Sequence, residues 1–107
     1  VDGQVYGRLR YNEANIDKEY RVLKSEIAIG RGGKAVWVDL KLETAADVSR
    51  EHCRIRRNSD GRQYIIDVSQ FGTAVNGRAL VPNKETELPP KATINLANVI
   101  TLEWEKS

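Results

Sequence analysis

The stretch Asp67-Val68-Ser69-Gln70-Phe71-Gly72-Thr73-Ala74-Val75-Asn76-Gly77 lies in the second half of a 107-residue chain. Its last two residues form a hairpin dipeptide, because Asn and Gly both tolerate the positive φ of a two-residue turn matched to strand twist. Short strands are expected on either side of that turn, at 74–75 and 78–81, with another before it at 63–67. The same rhythm extends in both directions. Val5, Gly7, Leu9 and Tyr11 alternate with Tyr6, Arg8 and Arg10. Tyr20 with Val22 and Ile27 with Ile29 repeat the pattern in shorter runs, the period-two signature of half-buried strands. Further strands are expected at 40–42, 53–57, 93–96 and 100–104. Gly30-Arg31-Gly32-Gly33, Asn58-Ser59-Asp60-Gly61 and Pro89-Pro90 punctuate them, and Asp60-Gly61 reads as a second hairpin dipeptide. Only residues 42–48 have some helical character. Many short strands at close spacing predict an all-β fold, an antiparallel sandwich.

Composition narrows the function. With 40% hydrophobic residues and a formal charge of +2, the chain is globular rather than disordered, and its length makes one domain over residues 1–107. A single cysteine cannot close an internal disulfide, whereas secreted domains of this size often carry several, so a cytoplasmic location is expected. The longest apolar run is four residues, 35–38, far short of the roughly 20 that cross a bilayer, and no membrane partner is expected. The absence of methionine, even at position 1, suggests a segment of a longer protein. A pI near 8.8 raises the question of nucleic acid, but that function needs a concentrated basic face and most of the charge here is interspersed. The exception is residues 50–62, where Arg50, Arg54, Arg56, Arg57 and Arg62 face only Glu51 and Asp60. With Arg31 and Lys34 this region could receive an anion. Arg54 and Arg56, however, alternate with Cys53 and Ile55, which favours a solvated strand face for Arg54, Arg56 and Arg57. No nucleic-acid partner is expected.

Catalysis finds no constellation. Ser49 with His52, or His52 with Cys53, would point to opposite faces of an extended chain, so neither pair can act within one strand. One His and one Cys fall short of a zinc site, and the acids show no calcium-loop spacing. Gly30-Arg31-Gly32-Gly33 has the spacing of neither a dinucleotide fingerprint nor a Walker loop. No enzyme activity, metal or cofactor is expected; Cys53 reads as core and His52 as a structural histidine.

Three separated motifs carry more. Gly30-Arg31 is followed, after 17 intervening residues, by Ser49-Arg50-Glu51-His52, and then by the 67–77 stretch. This order and spacing resemble the forkhead-associated (FHA) domain family. Its pattern is a Gly-Arg at a strand end, a Ser-Arg-x-His at the start of another, and an Asp-x-x-Ser-x-Asn-Gly-Thr-x-x-Asn-Gly loop and hairpin. Ile94, Leu96, Ile100, Leu102 and Trp104 resemble the family's closing strands. The resemblance implies a β-sandwich of about eleven strands with binding loops at one end. It implies recognition of phosphothreonine in a partner protein, in signalling or regulated assembly, by a domain that is monomeric in isolation. By resemblance Arg31 and Ser49 contact phosphate, and Arg50 is a variable polar or basic contact. Gln70, Phe71 and Thr73 belong to the peptide-binding loop, and Gly30, His52, Asn76 and Gly77 are structural. The residue types suit the task. A phosphoryl group carries close to two negative charges and three strong acceptor oxygens, so its receptor needs fixed donors: a guanidinium fork, a hydroxyl, a second cation.

Two departures stand out. The family has Asn before the Gly-Thr, where its amide holds the bound peptide's main chain; here Phe71 takes that place. The ring either packs against an apolar peptide side chain or turns inward as a plug. Before the closing strands the family often has Gly-Asp, where this chain reads Pro90-Lys91-Ala92-Thr93. Phe71 motivates an alternative function: an interaction module of the same fold with phosphate-independent recognition or self-association. Asp47, just before the Ser-Arg motif, would disfavour an acidic residue in a nearby peptide.

Overall fold

The computed structural model describes residues 5–43 and 46–107. Eleven strands are present among them: β1 (Gly7–Glu13), β2 (Ile16–Val22), β3 (Glu26–Gly30), β4 (Leu40–Lys41), β5 (Cys53–Arg57), β6 (Gln63–Asp67), β7 (Thr73–Val75), β8 (Arg78–Ala79), β9 (Thr86–Leu88), β10 (Lys91–Leu96) and β11 (Ile100–Lys106). They form two sheets, ordered β2-β1-β11-β10-β7-β8 and β4-β3-β5-β6-β9. The sandwich is antiparallel but for one pair, β3–β4, which is parallel because the chain doubles back along the sheet edge before β4. The stretch 42–48 contains no helix among its described residues; residues 44 and 45 lie outside them.

Register explains the core. Leu9, Trp104 and Ala92 lie in one row across the six-stranded sheet, and Ile27, Ile55 and Ile65 in one row across the other. These rows face each other between the sheets and are all buried, each fully buried Leu or Ile contributing about 1.5–3 kcal/mol. Trp104 fills its space against Gly7, where a Cβ would stand 2.2 Å from the indole ring. The outward-facing arginines of β5 pair with carboxylates just outside the strands: Arg54 with Glu51 and Arg56 with Glu85. Arg57 lies over the Tyr6 ring. Arg54 and Arg56 therefore form the outward face that their alternation suggests, whereas Arg57, next in sequence to Arg56, falls on the opposite face at the end of β5, where it is half-buried.

Asn76 and Gly77 have φ of 51° and 83°, the two-residue hairpin read from the sequence. The Asp60-Gly61 expectation needs correcting. Residues 58–62 make a longer connection in which only Gly61 has positive φ, 88°, while the Asp60 carboxylate accepts from the Arg62 N–H. Two further left-handed turns, Ala14-Asn15 and Ala97-Asn98, close β1–β2 and β10–β11. The same registers decide where function can lie. Ile29, Cys53 and Asp67 are cross-strand neighbours, as are Leu96 and Thr73. The segments after β3, before β5, between β6 and β7 and between β10 and β11 consequently meet at one end of the sandwich.

Candidate functional site

Gly30 decides how closely two of these segments meet. A Cβ there would lie 2.2 Å from the Arg50 carbonyl oxygen and 2.8 Å from that of Ser49. The missing side chain lets the two main chains lace together. The Arg31 N–H donates to Ser49 O at 3.0 Å, Gly32 N–H to Arg50 O at 2.9 Å, and His52 N–H to Ile29 O at 2.8 Å. Arg31 Nε donates to the Val48 carbonyl. The guanidinium is thus fixed through one nitrogen, while its terminal nitrogens take part in no ion pair among the described residues.

The Ser49 hydroxyl accepts from the Gln70 N–H at 2.9 Å, which leaves its own proton to donate. Its main-chain N–H donates to His52 Nδ1 at 3.0 Å. That bond fixes the tautomer: with Nδ1 accepting, the proton sits on Nε2 and is donated to the Gly72 carbonyl at 2.8 Å. His52 is fully buried. Burial holds its pKa below the ordinary histidine value, with the Gly72 hydrogen bond and the charge of Asp67 opposing. One neutral ring therefore joins the segment carrying Ser49 to the segment carrying Phe71.

The 68–72 segment is built around Asp67, which is buried at the end of β6. One carboxylate oxygen accepts from the Ser69 N–H at 3.1 Å, from the Ser69 hydroxyl and from the Thr73 hydroxyl at 2.8 Å. The Ser69 hydroxyl in turn accepts from the Gly72 N–H at 2.8 Å. Gly72 has φ of 98°, a conformation that favours glycine, and its carbonyl also takes the Ala97 N–H at 2.9 Å.

Arg31, Ser49, Arg50, Gln70 and Phe71 are thereby gathered on one surface. Arg50, Gln70 and Phe71 are exposed, Phe71 at 61%, which excludes the inward plug. Thr73 is corrected: it is 3% exposed and its hydroxyl belongs to Asp67, so it supports the loop from within rather than lining the surface. Gly30 and His52 are structural in the ways described. Asn76 pins its hairpin to β10, its N–H donating to Thr93 O at 2.8 Å and its side-chain oxygen accepting from Thr93 N at 2.9 Å. The reading of site residues omitted Asp67 and Ser69, although both stand in the quoted stretch; an Asp two residues before a Ser at a strand end is the signal of a self-bonded turn. It also omitted Ala97, which no side-chain chemistry could flag, because only its main chain takes part.

The loops at one end of the β-sandwich thus carry an arginine fixed through Nε and a serine hydroxyl that keeps its own proton to donate. The profile of the FHA domain matches residues 27–97, and the chain belongs to that family of binding modules. No curated protein sequence matches it. Among solved structures, the N-terminal FHA domain of S. cerevisiae Rad53p, in complex with a phosphothreonine peptide, is similar with a TM-score of 0.81 at 18% identity, over 96% of this chain and 94% of that one. The MEK1 FHA domain, bound to a threonine-phosphorylated HOP1 peptide, has a TM-score of 0.78 at 24% identity, over 97% and 99%. The FHA domain of the CT664 protein from Chlamydia trachomatis has 0.79 at 21%, over 95% and 98%.

Proposed function

We propose that this domain binds a threonine-phosphorylated segment of a partner protein, with Arg31, Ser49 and Arg50 as the phosphate receptor and Gln70 and Phe71 beside it. The observation that carries the reading is the prior fixing of Arg31 and Ser49. Each is held through one atom, Nε to Val48 O and Oγ from Gln70 N, and each keeps donors for a ligand. A tetrahedral dianion is the ligand that a fork and a hydroxyl suit together. The exposed Phe71 ring, in place of an amide, takes an apolar side chain of the bound segment.

Calorimetry with one peptide in phosphothreonine, phosphoserine and plain forms tests the reading. The phosphothreonine form binds, the phosphoserine form binds more weakly, and Arg31→Ala removes about 2–5 kcal/mol of the binding, as truncating a charged partner does. Equal affinity for the plain and phosphorylated peptides defeats it. That result would favour the second reading, phosphate-independent recognition centred on Phe71, for which the 61% exposure of the ring is the motivating observation.

A further inference from the structure

Four cations are carried on the adjoining segments around Gly32. Arg31 follows β3 and Arg50 precedes β5. Lys41 ends β4 as the cross-strand neighbour of Gly30, and Lys34 stands in the turn closed by the Gly33 N–H on Val36 O. A Cβ on Gly32 would touch Lys41 Cδ at 3.9 Å, and one on Gly33 would touch Arg50 Cδ at 3.5 Å, so both side chains lie along the glycine loop. None of the four has an ion-pair partner among the described residues. Elsewhere Arg8, Arg10, Lys18, Arg21, Lys24, Arg54, Arg56 and Arg62 each have a carboxylate within 4.0 Å, and Arg57, Arg78, Lys84, Lys91 and Lys106 stand outside ion pairs among the described residues; what sets the four apart is that they lie on adjoining segments around one loop.

The acids of the same segments are turned away or already engaged. Glu43 acts electrostatically on Tyr11 and Lys18. Asp47 lines a depression with Asn12, Glu13 and Val99. Asp39 holds Lys24 and the Ala28 N–H, and Glu51 holds Arg54. The loop end is therefore polarised, with cations outside ion pairs along the glycine loop, Glu43 and Asp47 toward the β1–β2 hairpin, and Asp39 and Glu51 engaged on the outer face of β3 and β5. One phosphothreonine brings at most two negative charges, which Arg31 and Arg50 match, leaving Lys34 and Lys41 uncompensated.

We infer that the ligand carries a second anionic group, which seats against Lys34 and Lys41 beside the phosphate receptor. This rests on the phosphothreonine reading and adds the charge class of its partner. The second anion is a further phosphate or acidic side chains of the same segment.

The test compares one singly phosphorylated peptide with versions bearing a second phosphothreonine, or two glutamates, two to four residues away on either side. Each is titrated against the wild-type domain, Lys34→Ala/Lys41→Ala, and a control, Lys91→Ala/Lys106→Ala, whose exposed lysines lie elsewhere. The second anion raises wild-type affinity on the order of fivefold at about 50 mM salt and less at about 300 mM. The gain, read as the ratio of the two peptides' affinities, disappears in the Lys34/Lys41 variant and persists in the control. A gain in either arm that depends on Lys34 and Lys41 supports the proposal, and the larger one identifies the source; a gain undiminished in Lys34→Ala/Lys41→Ala overturns it. No gain on either side, or equal loss of the gain in both lysine variants, overturns it while the phosphothreonine reading stands on the singly phosphorylated peptide. If that peptide also fails to bind, both fall.

Discussion

Protonating His52 would turn Nδ1 from the acceptor of the Ser49 N–H into a second donor aimed at it, so the ring must stay neutral for the two segments to remain joined. The folded state holds its pKa below the unfolded value, so the unfolded chain binds the proton more readily as pH falls. The associated stability is complete above about pH 6.5 and is lost as pH drops below it, at no more than about 1.4 kcal/mol per pH unit for one proton. Urea melts at descending pH check this, and the slope attributable to the ring should be absent in His52→Asn. Phe71 yields the opposite expectation. At 61% exposed, its replacement in Phe71→Asn changes unfolding free energy by less than about 0.5 kcal/mol. The same variant loses the preference for an apolar neighbour of the phosphothreonine in an oriented peptide library. At this scale the sequence announces residue types but not directions. Nothing in Gln70-Phe71-Gly72-Thr73 tells that the ring turns out and the threonine turns in; that follows from the register of β7 against β10 and from the reach of the Asp67 carboxylate.

Among the elements, the β3 end is the least forgiving. Gly30→Ala places a methyl 2.2 Å from the Arg50 carbonyl, where the obstacle is main chain and cannot rotate aside. We expect a loss of about 1–3 kcal/mol in stability and a weaker phosphopeptide complex, since separating the strand ends also separates Arg31 from Ser49. Gly77→Ala is the contrasting case. It costs about 1–2 kcal/mol through its positive φ, with open space around it, and should leave peptide affinity unchanged because the β7–β8 turn carries none of the proposed receptor residues. Denaturant melts and titrations on both variants separate the two effects. Legibility followed side-chain pattern. Alternation reveals β1, β3 and β5, whereas β9 escapes the sequence reading: it is three residues long, with Leu88 its single buried side chain after a polar approach. The Ala14-Asn15 turn was missed because alanine does not advertise positive φ.

For the molecule as a whole, binding should be a local event. The proposed receptor segments are joined by main-chain bonds and by His52, and Asp67 braces the 68–72 loop from within, so on the proposed function a phosphate would meet donors already in place, with little ordering entropy left to lose. Amide chemical-shift changes on adding a phosphothreonine peptide should be confined to residues near 31–34, 46–52 and 68–72, with the strands of the six-stranded sheet unmoved beyond β7 and the Ala97 turn. Widespread changes would contradict a preformed site. The same rigidity bears on Cys53, which lies in the core row with Ile29 and Asp67 and is wholly inaccessible, its thiol pushed well above the ordinary cysteine value by burial. A maleimide should therefore find no nucleophile while the sandwich is closed, so alkylation of Cys53 becomes a clock for global opening. A cysteine introduced at position 70 would then take a fluorophore alone, giving the binding surface its own optical reporter in the native protein.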